Sequence, residues 1–510
     1  MLGLTSLTAA RALWAAVAVF IIYPILRVIY NLTLHPLAKF KNGPILWRCS
    51  RLPYCVSAWN GLLSRDVQAL HAKYGPIIRI APNELSIADP QAYEDIYSNL
   101  GASLAFPKTP IWHAPPPGKP LMLINAIDRD VHGKMRRKME PSFTERAVAR
   151  QEAIPQQYMS LLIKKLKEAI KRSGQNETIV DIVPWLTYLT IDLIGDLAFG
   201  ESFGCLETGE HDDWLGFTFN SIRAMWYIVL LRHYGWLHNL LMGMIPKSVQ
   251  KQADDHWDTM ENKVKRRMAR NTTRPDFITL WLEEGKKGAE PLPHGEIYAN
   301  AFLISIAGSD TVSTTLFGTI NRLVKAPHVI EKLTEELRTR FSKAEDITFS
   351  ALKELPYLHA VMREGMRMCD PVPISNVRQT PPEGGTVCGE FVPGNTIVSV
   401  NSKRMCSDPE RWHEPTVFHP ERWLPEATLP SSLFYNDNRS IVEIFSIGPR
   451  SCIGKPLALA EMRMVLGRLF WEFDIRKADT KAGNLVWEDQ KAYSVVQKEP
   501  FEINIALRSN

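Results

Sequence analysis

The chain has 510 residues, 45% hydrophobic and 23% charged, long enough for one large fold or for several ordinary domains. Its 60 basic and 55 acidic side chains leave a net charge of +5, too dilute over this length to imply a nucleic-acid partner. The 7 cysteines are odd in number and contain no Cys-x-x-Cys pair, which argues against a zinc site or a disulfide scaffold and for reduced thiols facing the cytosol.

From Ala12 to Leu26 the residues are apolar apart from Tyr23 and Pro24. With its flanks this segment reaches about 20 residues, enough to cross a hydrocarbon core of roughly 30 Å. No small-x-small cleavage site follows it, so it reads as an uncleaved single-pass helix rather than a signal peptide. Arg27, Lys39, Lys41, Arg48 and Arg51 follow the segment and only Arg11 precedes it, which leaves the bulk of the protein in the cytosol. The division expected is an anchor and flank over 1–32 and one catalytic domain over 33–510.

After a Pro- and Gly-punctuated hinge (34–44), Tyr74–Ala88 predicts a hairpin of two short strands around a central Pro-Asn. Residues 105–130 are proline-rich without helical period and predict a long, functional loop. Asp130–Lys138 predicts a basic helix with His132 and Arg136 on one face. From about 131 to 370 the pattern is mainly helical, with helices over Gln156–Ile170, Leu186–Phe199, His256–Arg270 and Ile297–Val324. The last carries few charges apart from Asp310 and Arg322, so it must run buried through the middle of the protein. Strand-like pieces return at Val387–Val400, and a final helix spans Leu457–Phe473. No repeats or flexible linkers separate these segments. The fold class is mainly α with a small β portion, in one large domain.

The sharpest signal is Phe445-Ser-Ile-Gly-Pro-Arg-Ser-Cys-Ile-Gly-Lys455. Gly448 and Gly454 flank Cys452 and permit tight turns and close approach to a flat ligand. The helix that starts just after supplies free N–H groups and a positive dipole end, which favour a thiolate. Arg450, two residues away, suits a carboxylate. This is an environment for an axial thiolate on haem iron; a buried structural cysteine or a nucleophile also fits the loop taken alone.

The loop matches the pattern Phe-x-x-Gly-x-Arg-x-Cys-x-Gly at every fixed position, and in this the chain resembles the cytochromes P-450. Ala307-Gly-Ser-Asp-Thr311, Glu364-Gly-Met-Arg367 and Pro420-Glu-Arg-Trp423 follow that family's motifs in order and spacing, so the resemblance covers nearly the whole chain. Stretches such as 199–207 and 418–424 look like its fungal secondary-metabolism branch.

The resemblance implies a single haem domain with haem b as cofactor and Cys452 as the iron's axial ligand. Phe445, Gly448 and Gly454 shape its loop, and His132, Arg136, Arg378 and Arg450 face the haem propionates. His132 stands where the family commonly has Trp. Asp310 and Thr311 would relay protons for dioxygen activation, while Glu364, Arg367 and Arg422 would form a structural triad. The reaction implied inserts one oxygen atom into a lipophilic small molecule, a terpenoid, polyketide or alkaloid intermediate. Electrons would come from NADPH through a separate flavoprotein reductase, with cytochrome b5 as a further donor, at the endoplasmic reticulum membrane. The chain itself lacks a nucleotide-binding Gly-rich fingerprint. Competing readings are a non-oxygenating isomerase, dehydratase or desaturase of the same family and a non-catalytic haem-binding protein. The retained Asp310–Thr311 pair argues against both.

Overall fold

The computed structural model describes Trp14 and residues 17–98, 105–210, 213–270, 274–282, 291–374 and 376–508. The helical segments appear where the periodicity puts them, each starting earlier than expected, by the widest margin in Lys247–Ala269: Ala153–Ser173, Ile182–Phe199, Lys247–Ala269, His294–Leu323 and Lys455–Glu472. Their ends follow from capping. The Asp181 side chain accepts from Val183 N to open Ile182–Phe199, and Gly200, in the left-handed region, closes it. Asp128 likewise accepts from Asp130 N and Val131 N and fixes the start of Arg129–Met139.

Ile182–Phe199 and His294–Leu323 pack along each other at the centre of the main core, which takes in Leu316, Phe317, Leu469 and Phe470. A buried helix rich in Ser and Thr must satisfy its hydroxyls. Ser309, Thr311, Thr315 and Thr319 do so by donating to the carbonyls of Ser305, Ala307, Thr311 and Thr315, one turn back, at 2.7–3.0 Å.

The β portion forms small sheets around this helical body. The expected hairpin, Ile77–Ala81 with Glu84–Ile87, is antiparallel; Glu84–Ile87 then pairs parallel with Ile397–Val400, whose other edge takes Arg378–Gln379. Pairing of Arg378 with Val398 sets where that arginine enters the interior. Glu502–Leu507 lies between Glu177–Asp181 and Phe473–Lys477, and Ala492–Tyr493 folds on Val495–Val496 as a tight hairpin.

The 105–130 loop departs from the expectation in containing a helical turn, Pro110–His113, opened by Pro110 at a position where no N–H is needed. The expected N-terminal span, Ala12–Leu26, falls partly outside the described residues. Its described part is a wide turn at Ala18–Ile22 leading into the helix Tyr23–Thr33, with Ile21, Ile22, Tyr23, Ile25, Leu26 and Ile29 exposed. Among the described residues, only Ile182–Phe199 is long and apolar enough to cross a membrane, and it is a core helix.

Candidate functional site

The Cys452 loop is held from several sides. Cys452 N donates to Phe445 O at 2.9 Å and Ser451 N to Gly448 O at 3.0 Å, so the chain between Phe445 and Cys452 closes on itself. Gly448 has φ +75°, and a side chain there would collide with the Tyr97 carbonyl; glycine is required on both counts. Gly454 differs from the expectation of a tight turn. Its φ of −82° is ordinary, and a side chain at that position would meet only Cys452 Sγ, at 3.9 Å. Its part is to begin the helix Lys455–Glu472, which aims its N-terminus at the sulfur.

Cys452 keeps accessible surface although protein closely surrounds it, so that surface faces an internal cleft. Burial pushes the free thiol up. The backbone N–H of Gly454, the charge of Arg136, the backbone N–H of Lys455 and its side-chain charge pull the other way without prevailing. The helix N-terminus therefore assists a thiolate but does not create one; a bound metal ion would, by deprotonating its ligand outright.

The middle of His294–Leu323 carries Asp310 and Thr311. Ala307 is exposed and Gly308 and Thr311 are half-buried, next to half-buried Phe302, Leu303 and Ile306, whereas Val312–Asn321 is buried throughout, so this stretch is the open one in the middle of the helix. The Thr311 hydroxyl donates to Ala307 O at 2.7 Å. Asp310, 5% exposed, is instead ion-paired with Lys498, Nζ to Oδ1 2.7 Å. The acid and the alcohol, adjacent in sequence, point to different neighbours.

The cations gather as well. His132 and Arg136 share one face of Arg129–Met139, and with Arg450 they line a cavity of about 920 Å³ whose other wall includes Phe106 and Gly384. Arg450 donates to the carbonyls of Ala126 and Ile127 at 2.6 Å, and Arg136 to that of Ser451 at 2.6 Å. Arg378, 3% exposed, sits 5.2 Å over the Tyr97 ring and donates to its own Val377 O.

Sequence reasoning missed two members of this cluster. Lys108 bridges Arg378 as a backbone neighbour and donates from Nζ to Leu123 O and Ile124 O at 3.2 and 2.7 Å. His113 closes the same helical turn. The available signal was a lysine set between Pro107 and Pro110 in a loop already read as functional.

Burial, then Arg450 and Arg378, push Lys108 down to about 6. Burial, then Lys108 and Arg378, take His113 to about 3, and burial, Lys108, Arg450 and Arg136 take His132 to about 3. Arg450 falls to about 10 through burial and Arg378. Among the described residues none of Lys108, Arg378 and Arg450 has a carboxylate within ion-pair distance. Clustered buried cations that press on one another in this way call for an external anion. A thiol for a metal beside cations for acid groups is the donor set of a haem, and the residues fit that group.

The structural triad is present. Glu364, fully buried, accepts from Arg367 Nε and Nη2 at 2.9 and 2.7 Å, Arg422 Nε at 3.1 Å, Trp423 Nε1 at 2.9 Å and His419 N at 3.1 Å. Asp437, absent from the sequence reading, joins by pairing with Arg422. This network ties the helix Pro356–Met368 to the segment that leads into the cysteine loop.

Comparison with known proteins agrees. A family profile described as Cytochrome P450 matches residues 42–504. The chain is 37% identical to the cytochrome P450 monooxygenase atr2 of Stereocaulon alpinum, over 95% of this chain and 93% of that one. It is 36% identical to the cytochrome P450 monooxygenase stcF of Emericella nidulans (96% and 99%) and 34% identical to an averantin hydroxylase of Dothistroma septosporum (97% and 91%). With the cysteine loop, the buried triad and the cation cluster set in one fold, the chain belongs to the cytochrome P450 family.

Proposed function

We propose that the protein is a haem-thiolate monooxygenase of fungal secondary metabolism, with Cys452 as the iron's axial ligand and haem b as the cofactor. The observation that carries this reading is the setting of the Cys452 loop against buried cations: Arg136 donates to Ser451 O beside the cysteine, and Arg450 of the same loop lines a cavity with Arg136 and His132. When bound, the haem supplies activation of dioxygen with electrons from NADPH, delivered by a flavoprotein reductase or cytochrome b5. Arg136, Arg378, Arg450 and Lys108 neutralise its acid groups, and the uncharged His132 ring orients them as an N–H donor. Gly448 lets the cysteine loop lie close to Tyr97, and the Gly454 and Lys455 N–H groups turn toward the sulfur. Thr311 holds a hydroxyl at the open turn of the long helix, and Asp310 carries a carboxylate one residue away for proton supply.

The half-buried apolar side chains Phe302, Leu303, Ile374 and Val495 support a lipophilic substrate. One relative is named an averantin hydroxylase, which supports hydroxylation of a small molecule as the reaction.

Membrane attachment is part of the proposal. Leu34, Ile45, Leu46, Leu52, Val56 and Trp59 are exposed near the N-terminal helix. Trp59 packs on Tyr227 at 4.3 Å, joining this region to the helix Asp213–Arg232, beyond which Trp236, Leu240 and Met244 are exposed. A run of apolar side chains at this scale supports a surface laid on lipid, here that of the endoplasmic reticulum with the catalytic domain in the cytosol.

The test is the carbon-monoxide difference spectrum of the reduced protein. A Soret band at the far-red position of thiolate ligation, lost in Cys452→Ala, is the expected result. An imidazole-type spectrum, or no haem uptake, would overturn the proposal.

A further inference from the structure

The helix Leu63–Tyr74 begins without a side-chain cap, since Leu62 precedes it and offers nothing to the first-turn N–H groups. A helix leaves those groups without partners of its own and adds a positive dipole end. The first turn borders a narrow cavity of about 40 Å³ whose wall includes Ser64, Asp370, Lys403 and Gln490.

The side chains around this space are short of acceptors. Ser64 is 6% exposed, and its hydroxyl is buried with no hydrogen-bond partner. Gln490 accepts from Glu499 N at its Oε1, at 3.1 Å, which fixes the amide and leaves the buried Nε2 unpartnered. Among the described residues Lys403 has no acceptor for its ammonium and no carboxylate within ion-pair distance. Asp370 stands in the same wall, but its two oxygens already accept from Val372 N at 2.9 Å and Ser402 Oγ at 3.0 Å. Glu488 is bound to Arg322. Burial pushes the Lys403 ammonium down even against the pull of Glu488 and Asp370.

An ammonium, a side-chain amide N–H₂ and a hydroxyl therefore meet beside a helix N-terminus with little to donate to. Water filling the space would bring hydrogens of its own. An anion brings none and also answers the lysine's charge. One water needs roughly 10–15 Å³ of such space, so the cavity takes a small ion with a water or two and is too narrow for an organic acid.

We propose that this cavity is a binding site for a monatomic inorganic anion, chloride, held by the N-terminus of Leu63–Tyr74, Lys403, Ser64 and Gln490. The ion sits where distant parts of the chain are fastened together. Ala492 N donates to Gly61 O at 2.9 Å and Val496 N to Pro371 O at 3.0 Å. These ties join the C-terminal hairpin to the first turn of the helix and to the segment after Asp370. The same two segments carry Val495 and Ile374, half-buried apolar side chains proposed to meet a lipophilic substrate. The anion stiffens the frame behind them.

The experiment measures thermal unfolding of the full-length holoenzyme at neutral pH, in sodium chloride and in sodium gluconate of equal ionic strength. Gluconate is too large for the cavity. An ion held only by the folded state raises Tm with the logarithm of its concentration once the site is filled. For a chain of this length that is about 1 °C per tenfold rise in chloride, with no matching rise in gluconate. Lys403→Met loses the chloride response. Ser64→Asp, which sets a carboxylate of the chain's own at the helix start, loses it too. In crystals of the parent soaked in sodium bromide, anomalous density appears among Ser64, Lys403 and Gln490.

Equal gains of Tm in the two salts would overturn the proposal, as would a chloride response that survives in Ser64→Asp. Bromide signal absent from the cavity would overturn it as well, leaving only water there. That last result is read on the parent, so it decides the matter even where Lys403→Met does not fold. None of these readouts uses the thiolate spectrum, so failure here leaves the reading of Cys452 standing.

Discussion

Replacing Lys108 by Met should stabilise the haem-free protein and weaken the haem-bound one. Lys108 is 7% exposed, faces Arg450 and Arg378, and is pushed from 10.5 to about 6, by burial first. Its folded-state value lies below its unfolded value, so between about pH 6 and 10 the unfolded chain binds the extra proton and stability rises with pH. Below pH 6 the full penalty is present; toward pH 10 it fades as the unfolded lysine also loses its charge. At 1.36 kcal/mol per unit, a displacement of this size has an upper bound of about 6 kcal/mol. Relaxation and water entry should leave roughly half of that. Met keeps the length of the apolar stem and removes the charge. In urea unfolding of the haem-free chain, Lys108→Met should therefore be more stable than the parent by about 2–3 kcal/mol at pH 7, with the gap closing by pH 10. With haem bound the sign reverses. The ammonium then has an anion to neutralise, and the variant should release haem faster to an apomyoglobin acceptor. A haem-free Lys108→Met that is less stable than the parent at pH 7, or a gap independent of pH, would refute the reasoning.

Glu364→Ala strips acceptors from Arg367, Arg422, Trp423 and the His419 N–H at once, leaving buried guanidinium charge uncompensated at a cost of about 3–5 kcal/mol; its urea midpoint should fall accordingly, and Glu364→Gln should lose less. Burial raises the Glu364 carboxyl, but the Arg367 and Arg422 charges outweigh it and hold the group below its ordinary range. Its contribution is thus present above about pH 4.3 and lost as acid takes the pH through the lowered folded value, visible as a parent-minus-Gln difference that shrinks in acid. Gly448→Ala places a side chain at φ +75° against Tyr97; about 1–2 kcal/mol comes from the backbone alone, and the displaced loop should halve or worse the haem retained after purification. Trp236→Asp, at a site 74% exposed, should leave the carbon-monoxide spectrum intact while reducing co-flotation of the anchor-truncated chain with phospholipid vesicles.

The sequence made the helices and the cysteine loop legible because both are local. An apolar period over some thirty residues states where His294–Leu323 must lie, and the spacing of Phe445, Gly448, Arg450, Cys452 and Gly454 is complete within one short segment. Glu364 and Arg367 were legible for the same reason, being one helical turn apart. What escaped were contributions fixed by long-range pairing. Lys108 is brought in by its bridge to Arg378, and Asp437 by Arg422. Lys498 meets Asp310 across 188 positions of chain. None of these has a spacing to betray it.

The same distinction explains why Asp310 and Thr311, adjacent in sequence, behave as separate groups. Neighbouring helical positions diverge by about 100°, so a dipeptide motif cannot say that its side chains share a target. The fold turns Thr311 to the open face, where its hydroxyl needs only its own helix, and turns Asp310 into the packed side, where a charge survives only with a partner. A hydroxyl can stay at that surface because a backbone carbonyl one turn back satisfies it at little cost. A carboxylate has no such local partner for its charge, so its place depends on a segment distant in the chain. The acid is thereby the member of the pair that tertiary movement can control, and the alcohol the member that stays fixed.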